Sequence, residues 1–244
     1  MAETSIKENR PDERFSGTVI EKLLSRPRLL EIERHPVRVI WDAVRAALSG
    51  YQVIETGELD DIERTRTFGG DSYGRPYQLD ERQALRTQTT SSLWQAMPGR
   101  CPPVRLATAG RVFRTDKEDA THQKVFHQVD GLCIDHATDL TALKGVLNGL
   151  LTSVLGAAET RWRPERYEFV DDASEIDVRV GRKWISVAGA GTMKRQTLEA
   201  AGYTDRSVGG FAFGLGLERM AMIKFDISDI RMLWRPPYVG RAGD

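Results

Sequence analysis

Hydrophobic and polar positions recur along the chain with two periods, which predict helices and strands. Apolar residues from Pro36 to Gly50 lie on one helical face, and these two residues are suited to begin and end a helix. A second amphipathic stretch follows Asp139, a suitable N-cap, and ends at Gly156. Shorter helices are predicted at residues 19–30, 194–201 and 217–224.

Runs of β-branched and aromatic residues predict the strands of an antiparallel sheet. Residues 104–113 and 124–134 form two such runs, and the polar connection between them is too long for a tight hairpin turn. Further strands are predicted at residues 51–54, 167–170, 176–180, 184–187 and 211–213. Residues 58–81 are polar with several glycines and predict a loop. Because the order lacks the βαβ alternation of a parallel sheet, we expect an α+β fold.

Composition limits the class of protein and its compartment. The 244 residues are 40% hydrophobic and 29% charged, as in ordinary globular proteins. The 35 basic and 35 acidic residues cancel, which excludes a surface that is basic throughout but leaves a local patch possible. The sequence contains no signal-like or membrane-spanning apolar run, and its two cysteines lack CxxC spacing. We therefore expect a cytoplasmic protein that makes no contact with membranes.

Residues 110–131 combine an aromatic ring, polar groups and cations in a way that predicts a ligand site. Since strand residues alternate, Phe126, Gln128 and Asp130 share one face of the second predicted strand. The preceding loop adds an acid and two potential phosphate-binding cations: Asp116, Arg114 and His122. For this segment alone, an exposed hairpin with a solvated loop is the alternative.

A glycine-rich stretch at residues 210–225 supplies a second candidate wall for the same site. Gly214 and Gly216 would allow a ligand to lie against the strand backbone, where a Cβ would collide. Arg219 follows in the first turn of the predicted helix. Alone the stretch is equally consistent with a packing junction, but together with the hairpin it indicates a binding site.

Together the two segments resemble motifs 2 and 3 of class II aminoacyl-tRNA synthetases, and in detail the catalytic α subunit of phenylalanyl-tRNA synthetases. The most specific pieces are residues 85–90, 110–131, 189–191 and 210–219. The resemblance implies an antiparallel β-sheet flanked by helices. It also implies one catalytic domain over residues 36–244, behind an N-terminal tail and short helix at residues 1–35.

The resemblance further implies an enzyme that uses ATP and Mg²⁺ to convert an amino acid into an aminoacyl adenylate. Arg114 and Arg219 would be the catalytic residues, acting on the α- and γ-phosphates. ATP would also contact Asp116, His122, Phe126 and Gly216. The amino acid would contact Gln88, Thr90, Gln128, Asp130, Tyr167, Glu168, Phe169, Ala212 and Gly214. Asp171 would hold the metal ion.

Departures from the family pattern leave the substrate and the acceptor open. Tyr167-Glu168-Phe169 replaces a typical Phe-Pro-Phe and disfavours plain phenylalanine, unless Glu168 points to solvent. Ser186 replaces an acid of the metal site and Leu93 a glutamine, which favours the alternative of a weak or inactive paralogue that senses an amino acid or regulates a partner. The acceptor would be tRNA, a carrier protein or an amine, and the family habit is a homodimer.

Overall fold

The structure, a computed structural model, describes residues 17–63, 75–136 and 138–239. Nine strands are described: β1 Gln52–Val53, β2 Leu59–Asp61, β3 Gln83–Leu85, β4 Val104–Phe113, β5 Val125–His136, β6 Thr160–Pro164, β7 Val170–Val180, β8 Lys183–Met193 and β9 Val208–Gly216. The α-helices among these residues are α1 Gly17–Leu24, α2 Pro36–Ala47, α3 Thr90–Ala96, α4 Leu140–Leu155, α5 Arg195–Ala200 and α6 Leu217–Lys224. Short 3₁₀ helices span Leu29–Glu31 and Ile230–Trp234.

Seven of the strands form one sheet in the order β1-β4-β5-β9-β8-β7-β6. All neighbouring pairs are antiparallel except β1 and β4, which run parallel. Strands β2 and β3 pair separately. The predicted α+β class with an antiparallel sheet is confirmed, and β5 and β9 lie side by side near the middle of the sheet.

Helices cover both faces of the sheet and bury its apolar side chains. On one face, α2, α4 and α6 pack against residues such as Val129 and Phe213. On the other face, Leu93 and Trp94 of α3 pack against Leu132. Because β5 alternates, it contributes to both cores, and Phe126, Gln128 and Asp130 lie on the same face as Leu132.

Both longer helices begin where the sequence predicts and α4 ends there, but α2 ends at Ala47, ahead of the expected Gly50. The His35 ring accepts a hydrogen bond from the Val37 amide at 3.1 Å ahead of α2. The Asp139 carboxylate accepts one from the Ala142 amide at 2.9 Å ahead of α4. The single helix predicted over residues 19–30 is instead α1 followed by a 3₁₀ turn, because Pro27 has no backbone N–H and interrupts it. In the described part of the chain, none of the helices has the length and apolar character needed to cross a bilayer.

Two other expectations about the strands are wrong. Residues 167–169 form a loop and turn rather than a strand, with the Tyr167 and Phe169 rings stacked at 6.4 Å between centroids. The predicted loop over residues 58–81 contains β2, and residues 64–74 lie outside the described chain.

Strand β6 was not predicted because its charged sequence lacks apolar alternation; Arg161 and Arg163 instead pair with Asp177 of β7.

Candidate functional site

A cavity of about 230 Å³ opens on the face of the sheet that carries Phe126, Gln128 and Asp130. Strands β5, β8 and β9 supply its floor, and the β4–β5 loop supplies one rim. The sequence-predicted site residues that line the cavity are Gln88, Thr90, Arg114, Asp116, His122, Phe126, Gln128, Asp130, Tyr167, Phe169, Ala212, Gly214, Gly216 and Arg219. Residues from four separate stretches of the sequence therefore meet at one place.

Asp130 places a buried carboxylate at one end of the cavity. Its oxygens accept hydrogen bonds from the hydroxyls of Thr89 and Thr90, the latter at 3.1 Å. They also accept one from the Gln128 amide at 2.7 Å. Burial raises the pKa of Asp130, and the three hydrogen bonds oppose that rise. A carboxylate held this way suits a cationic group of a ligand, and Thr89 is a contributor that the sequence analysis missed although it stands beside Thr90.

Arg114 lies on the other side of Gln128. Its Nη2 donates to the Gln128 Oε1 at 3.0 Å, and its Nε donates to the Thr87 carbonyl at 3.0 Å. The guanidinium also lies over the Phe126 ring, 4.9 Å from the centroid. Gln128 thus joins a cation and a carboxylate in one hydrogen-bonded line, so that a zwitterion or a phosphate compound could meet both charges.

Arg219 forms the opposite rim, where it is fixed by three partners from two segments. It donates to the Ser186 carbonyl at 3.1 Å and to the Thr121 carbonyl at 3.4 Å. A third bond, at 2.9 Å, joins its Nη2 to the Nε2 of His122. Burial lowers the pKa of Arg219, and nearby acids oppose that effect. The cavity therefore has a second guanidinium, well separated along the sequence from Arg114.

Glu218 fastens the first turn of α6 to β5, another role that the sequence analysis missed. Its two carboxylate oxygens accept one bifurcated hydrogen bond from the His127 backbone N–H, at 2.8 and 3.0 Å, and one of them contacts the His127 Nδ1 at 2.8 Å. Both side chains are buried. The sequence offers one signal for this role: Glu218 stands beside Arg219 in the first turn of the helix, where acidic residues are favoured. The clamp fixes the position from which Arg219 enters the cavity.

The glycines of the cavity serve different purposes. A Cβ on Gly214 would stand 2.8 Å from the Asp130 Oδ1, so glycine there makes room for the carboxylate itself. A Cβ on Gly189 would stand 2.6 Å from the Tyr167 hydroxyl. Gly216 has open space beside it. The sequence predicts that Gly214 and Gly216 both leave strand backbone open to a ligand. Of these two glycines, Gly216 alone does so.

Two predicted site residues do not reach the cavity. The side chain of Glu168 is exposed and does not line the cavity. Its backbone carbonyl accepts a hydrogen bond from the Lys194 Nζ at 2.6 Å. The expectation that Glu168 contacts the amino acid is corrected accordingly; it points to solvent because residues 167–169 turn instead of continuing a strand. Asp171 is also exposed and lies outside the cavity, because β7 begins at Val170 and it is Val170 that lines the wall.

Among the residues that the structure describes, the acids near the cavity do not gather into a metal cluster. Glu175 and Asp116 line it, and Glu175 pairs with Arg163. Asp177 is engaged by Arg161 and Arg163 at 2.7 Å each; burial alone would raise its pKa, but these arginines hold it below the usual range. Across residues 17–63, 75–136 and 138–239, no group of three or more His, Cys, Asp or Glu could hold a metal ion.

Comparison with known proteins gives consistent results for sequence and fold. The model of the family described as tRNA synthetases class II core domain (F) matches residues 13–239. The match begins ahead of residue 36 and includes α1, whose Ile20 and Leu23 pack against Phe113. The boundary expected at residue 36 stays a prediction.

Individual relatives carry names from the same class. The phenylalanine–tRNA ligase alpha subunit of Acetivibrio thermocellus is 30% identical over 251 residues, which cover 94% of this chain and 74% of that protein. The corresponding subunit of Synechocystis sp. is 39% identical over 157 residues, 64% of this chain and 47% of that protein. The structure of PylSc from Desulfitobacterium hafniense, a pyrrolysyl tRNA synthetase, superposes with a TM-score of 0.64 at 18% identity over 89% of this chain and 75% of that one. This last likeness concerns the fold alone.

Proposed function

The chain belongs to the family of class II tRNA synthetase core domains, and we propose that it uses ATP to convert an amino acid into an aminoacyl adenylate. One observation carries the proposal: two guanidiniums and a buried carboxylate face the same cavity. They belong to Arg114, Arg219 and Asp130. This combination suits a reaction between a zwitterion and a nucleotide, since each charge of the two substrates meets its opposite.

The hydrogen-bonded line through Gln128 gives the amino acid its orientation. Its α-ammonium would bind Asp130, and its carboxylate would then point towards Arg114 on the far side of Gln128. Arg114 would also bind the α-phosphate, and Arg219 the outer phosphates at the opposite rim. The carboxylate oxygen attacks the α-phosphorus, and pyrophosphate leaves. Because the nucleophile is already ionised, the side chains act by positioning and by stabilising charge, and no general base is required.

The acids of the cavity fit a magnesium ion carried by ATP better than an ion bound by the protein alone. Mg²⁺ commonly takes one or two protein carboxylates and completes its shell with water and phosphate oxygens. Glu175, which lines the cavity, would be such a ligand. When bound, the ion would neutralise charge on the outer phosphates.

Amino-acid-dependent exchange of pyrophosphate into ATP tests the proposal, across a panel that includes non-proteinogenic amino acids. The wild type should catalyse exchange with at least one of them. Arg114→Ala should lower kcat/KM about a hundredfold or more, as expected for loss of a preorganised charge donor. Arg105→Ala is the matched control, because Arg105 lies on β4, the strand that leads to Arg114, but forms an exposed pair with Asp135.

A second candidate function is that of an amino-acid sensor or regulatory partner. It is favoured by Ser186, which lines the cavity where the family has an acid. Amino-acid binding by calorimetry without exchange for any member of the panel would support this alternative over the enzyme.

The acceptor and the assembly extend the proposal. The names of the relatives favour tRNA as acceptor, with a carrier protein or an amine as alternatives. Transfer of a labelled amino acid to total tRNA, compared with transfer to carrier proteins, separates them. We further propose a cytoplasmic homodimer, and light scattering after size-exclusion chromatography tests the dimer.

A further inference from the structure

The β4–β5 loop contains a relay of hydrogen bonds that ends on Arg219. Asp119 accepts from the backbone amides of Thr121 and His122 at 2.7 and 2.9 Å. It also accepts from the Thr121 hydroxyl at 3.0 Å and contacts the His122 Nδ1 at 3.0 Å. The hydrogen bonds from Thr121 and His122 hold the pKa of Asp119 below its usual range, so the carboxylate is ionised.

The partners of His122 select one tautomer of its ring. A guanidinium can only donate, so the Nε2 that contacts the Arg219 Nη2 at 2.9 Å must be an acceptor. The proton of the neutral ring then resides on Nδ1, which faces the Asp119 carboxylate and the Thr121 hydroxyl oxygen, the latter at 3.0 Å. The contacts on both sides of the ring therefore require the same tautomer, because the Asp119 carboxylate and the Thr121 hydroxyl oxygen can both accept from Nδ1–H.

The tautomer of His122 determines whether His122 or Arg219 can donate a hydrogen bond to a phosphate of the nucleotide. In the Nδ1–H tautomer, His122 has no N–H left to offer a phosphate. Arg219 has five N–H donors, and its contacts with Thr121, Ser186 and His122 use three of them. Among the described residues no other partner engages the remaining two donors, which can bind phosphate oxygens, and His122 acts on the nucleotide through Arg219.

We propose that Asp119 is a positioning residue for nucleotide binding, because it holds His122 as the Nδ1–H tautomer whose Nε2 orients the Arg219 guanidinium. The consequence for ATP rests on the proposed function, whereas the tautomer does not. Loss of the Asp119 carboxylate frees His122 to carry its proton on Nε2. Two donors then face each other at the contact with Arg219, and the guanidinium loses its orientation.

Nitrogen-15 NMR of the imidazole rings reads the tautomer directly, without substrate or turnover. The chain has four histidines, and a His122→Gln variant assigns the signal. At about pH 8, we expect Nδ1–H for His122 in the wild type and in Glu118→Ala, a neighbouring control. Asp119→Ala should convert it to Nε2–H. Asp119→Asn retains an acceptor oxygen, so it should preserve both the turn of the loop and the Nδ1–H form.

Calorimetry with MgATP and with AMP supplies the functional measurement. Asp119→Ala should bind MgATP about fivefold more weakly, as for one lost hydrogen bond. It should bind AMP like the wild type, because AMP lacks the outer phosphates, and Asp119→Asn should restore MgATP binding. Nε2–H in the wild type, or Nδ1–H retained in Asp119→Ala, would overturn the proposal. Absence of MgATP binding by the wild type would instead contradict the proposed function and leave the tautomer assignment standing.

Discussion

At the scale of single residues, Tyr167 connects the shape of the cavity to the choice of amino acid. Its hydroxyl lies 2.6 Å from where a Cβ of Gly189 would stand, and its ring stacks on Phe169. With Glu168 outside the cavity, the case for a substrate other than phenylalanine depends on this hydroxyl. The hydroxyl makes this wall of the cavity polar, which disfavours an apolar side chain against it.

Tyr167→Phe should therefore shift the preference towards apolar aromatic amino acids. We expect their kcat/KM in pyrophosphate exchange, relative to the preferred substrate of the wild type, to rise about tenfold. Glu168→Gln should leave the profile unchanged, because that side chain is exposed. A shift in Glu168→Gln with none in Tyr167→Phe would show that the pocket has been assigned to the wrong residue.

The cavity-facing residues of β5 could be predicted from the sequence because strand periodicity fixes which side chains share a face. Phe126, Gln128 and Asp130 line the cavity as that rule requires. Glu168 could not be predicted in the same way, since its orientation depends on a turn that aromatic stacking stabilises. The tautomer of His122 also depends on a contact with Arg219, 97 residues away in sequence.

At the scale of elements, β5 and β9 are neighbouring strands, and Gly131 of β5 leaves the space that the ring of Phe213 from β9 occupies. A Cβ on Gly131 would stand 2.2 Å from the Phe213 ring. Phe213 is buried in the core with the helices, so its ring has little freedom to move. The close approach holds β9, and with it Gly214 and Gly216, in register with the polar residues of β5.

Gly131→Ala should lower the free energy of unfolding by about 1–3 kcal/mol, as overpacking does in a tight core. Gly145→Ala is the matched control in α4, where the glycine is exposed and a Cβ meets nothing within 4 Å. It should raise the free energy of unfolding by roughly 0.5–1 kcal/mol, because alanine favours helix. Urea denaturation measures both changes, and equal effects of the two substitutions would contradict the packing argument.

The helices with clear caps could be predicted within a few residues, whereas β6 could not be predicted at all. Pro36 and Asp139 carry their signals locally. Strand β6 is held by ion pairs between Arg161, Arg163 and Asp177, which are 14 to 16 residues apart and leave no apolar period in the sequence. Pairing across strands is a tertiary effect that a local pattern does not contain.

At the scale of the whole molecule, His35 joins the start of α2 to the 3₁₀ helix near the end of the described chain. Its Nδ1 accepts from the Val37 amide, and its Nε2 bonds the Leu233 carbonyl at 2.8 Å. The ring is therefore neutral in the fold. Burial lowers the pKa of His35 below its usual 6.5, and the bond to Leu233 only partly opposes this effect.

The unfolded chain consequently binds a proton that the folded chain excludes, and acid should destabilise the fold. As the pH falls below about 6.5, the contribution of His35 to the free energy of unfolding should fall by up to about 1.4 kcal/mol per pH unit, until the pKa of the folded state is reached. His35→Asn keeps a cap without a titrating ring and should flatten this part of the profile. Urea titrations between pH 5 and 8 test this; a variant with the same slope as the wild type would exclude His35 as the cause.

The antiparallel class of the sheet follows from the order of the elements, but its strand order could not be predicted. Nothing local in β9 specifies that it inserts between β5 and β8 and so joins the glycine stretch to the β4–β5 hairpin. The composition of the two segments suggested one site, and the resemblance supported it, but neither specified the strand order that brings them together. The cavity is the product of that insertion.

The most direct test of the central claim is the fate of ATP labelled in its α-phosphate, incubated with the wild type, Mg²⁺, pyrophosphatase and the amino-acid panel. We predict a labelled aminoacyl adenylate that forms only with the preferred amino acids and is absent for Arg114→Ala. Labelled ADP, or a labelled product that does not depend on an amino acid, would contradict attack of a carboxylate on the α-phosphorus in this cavity.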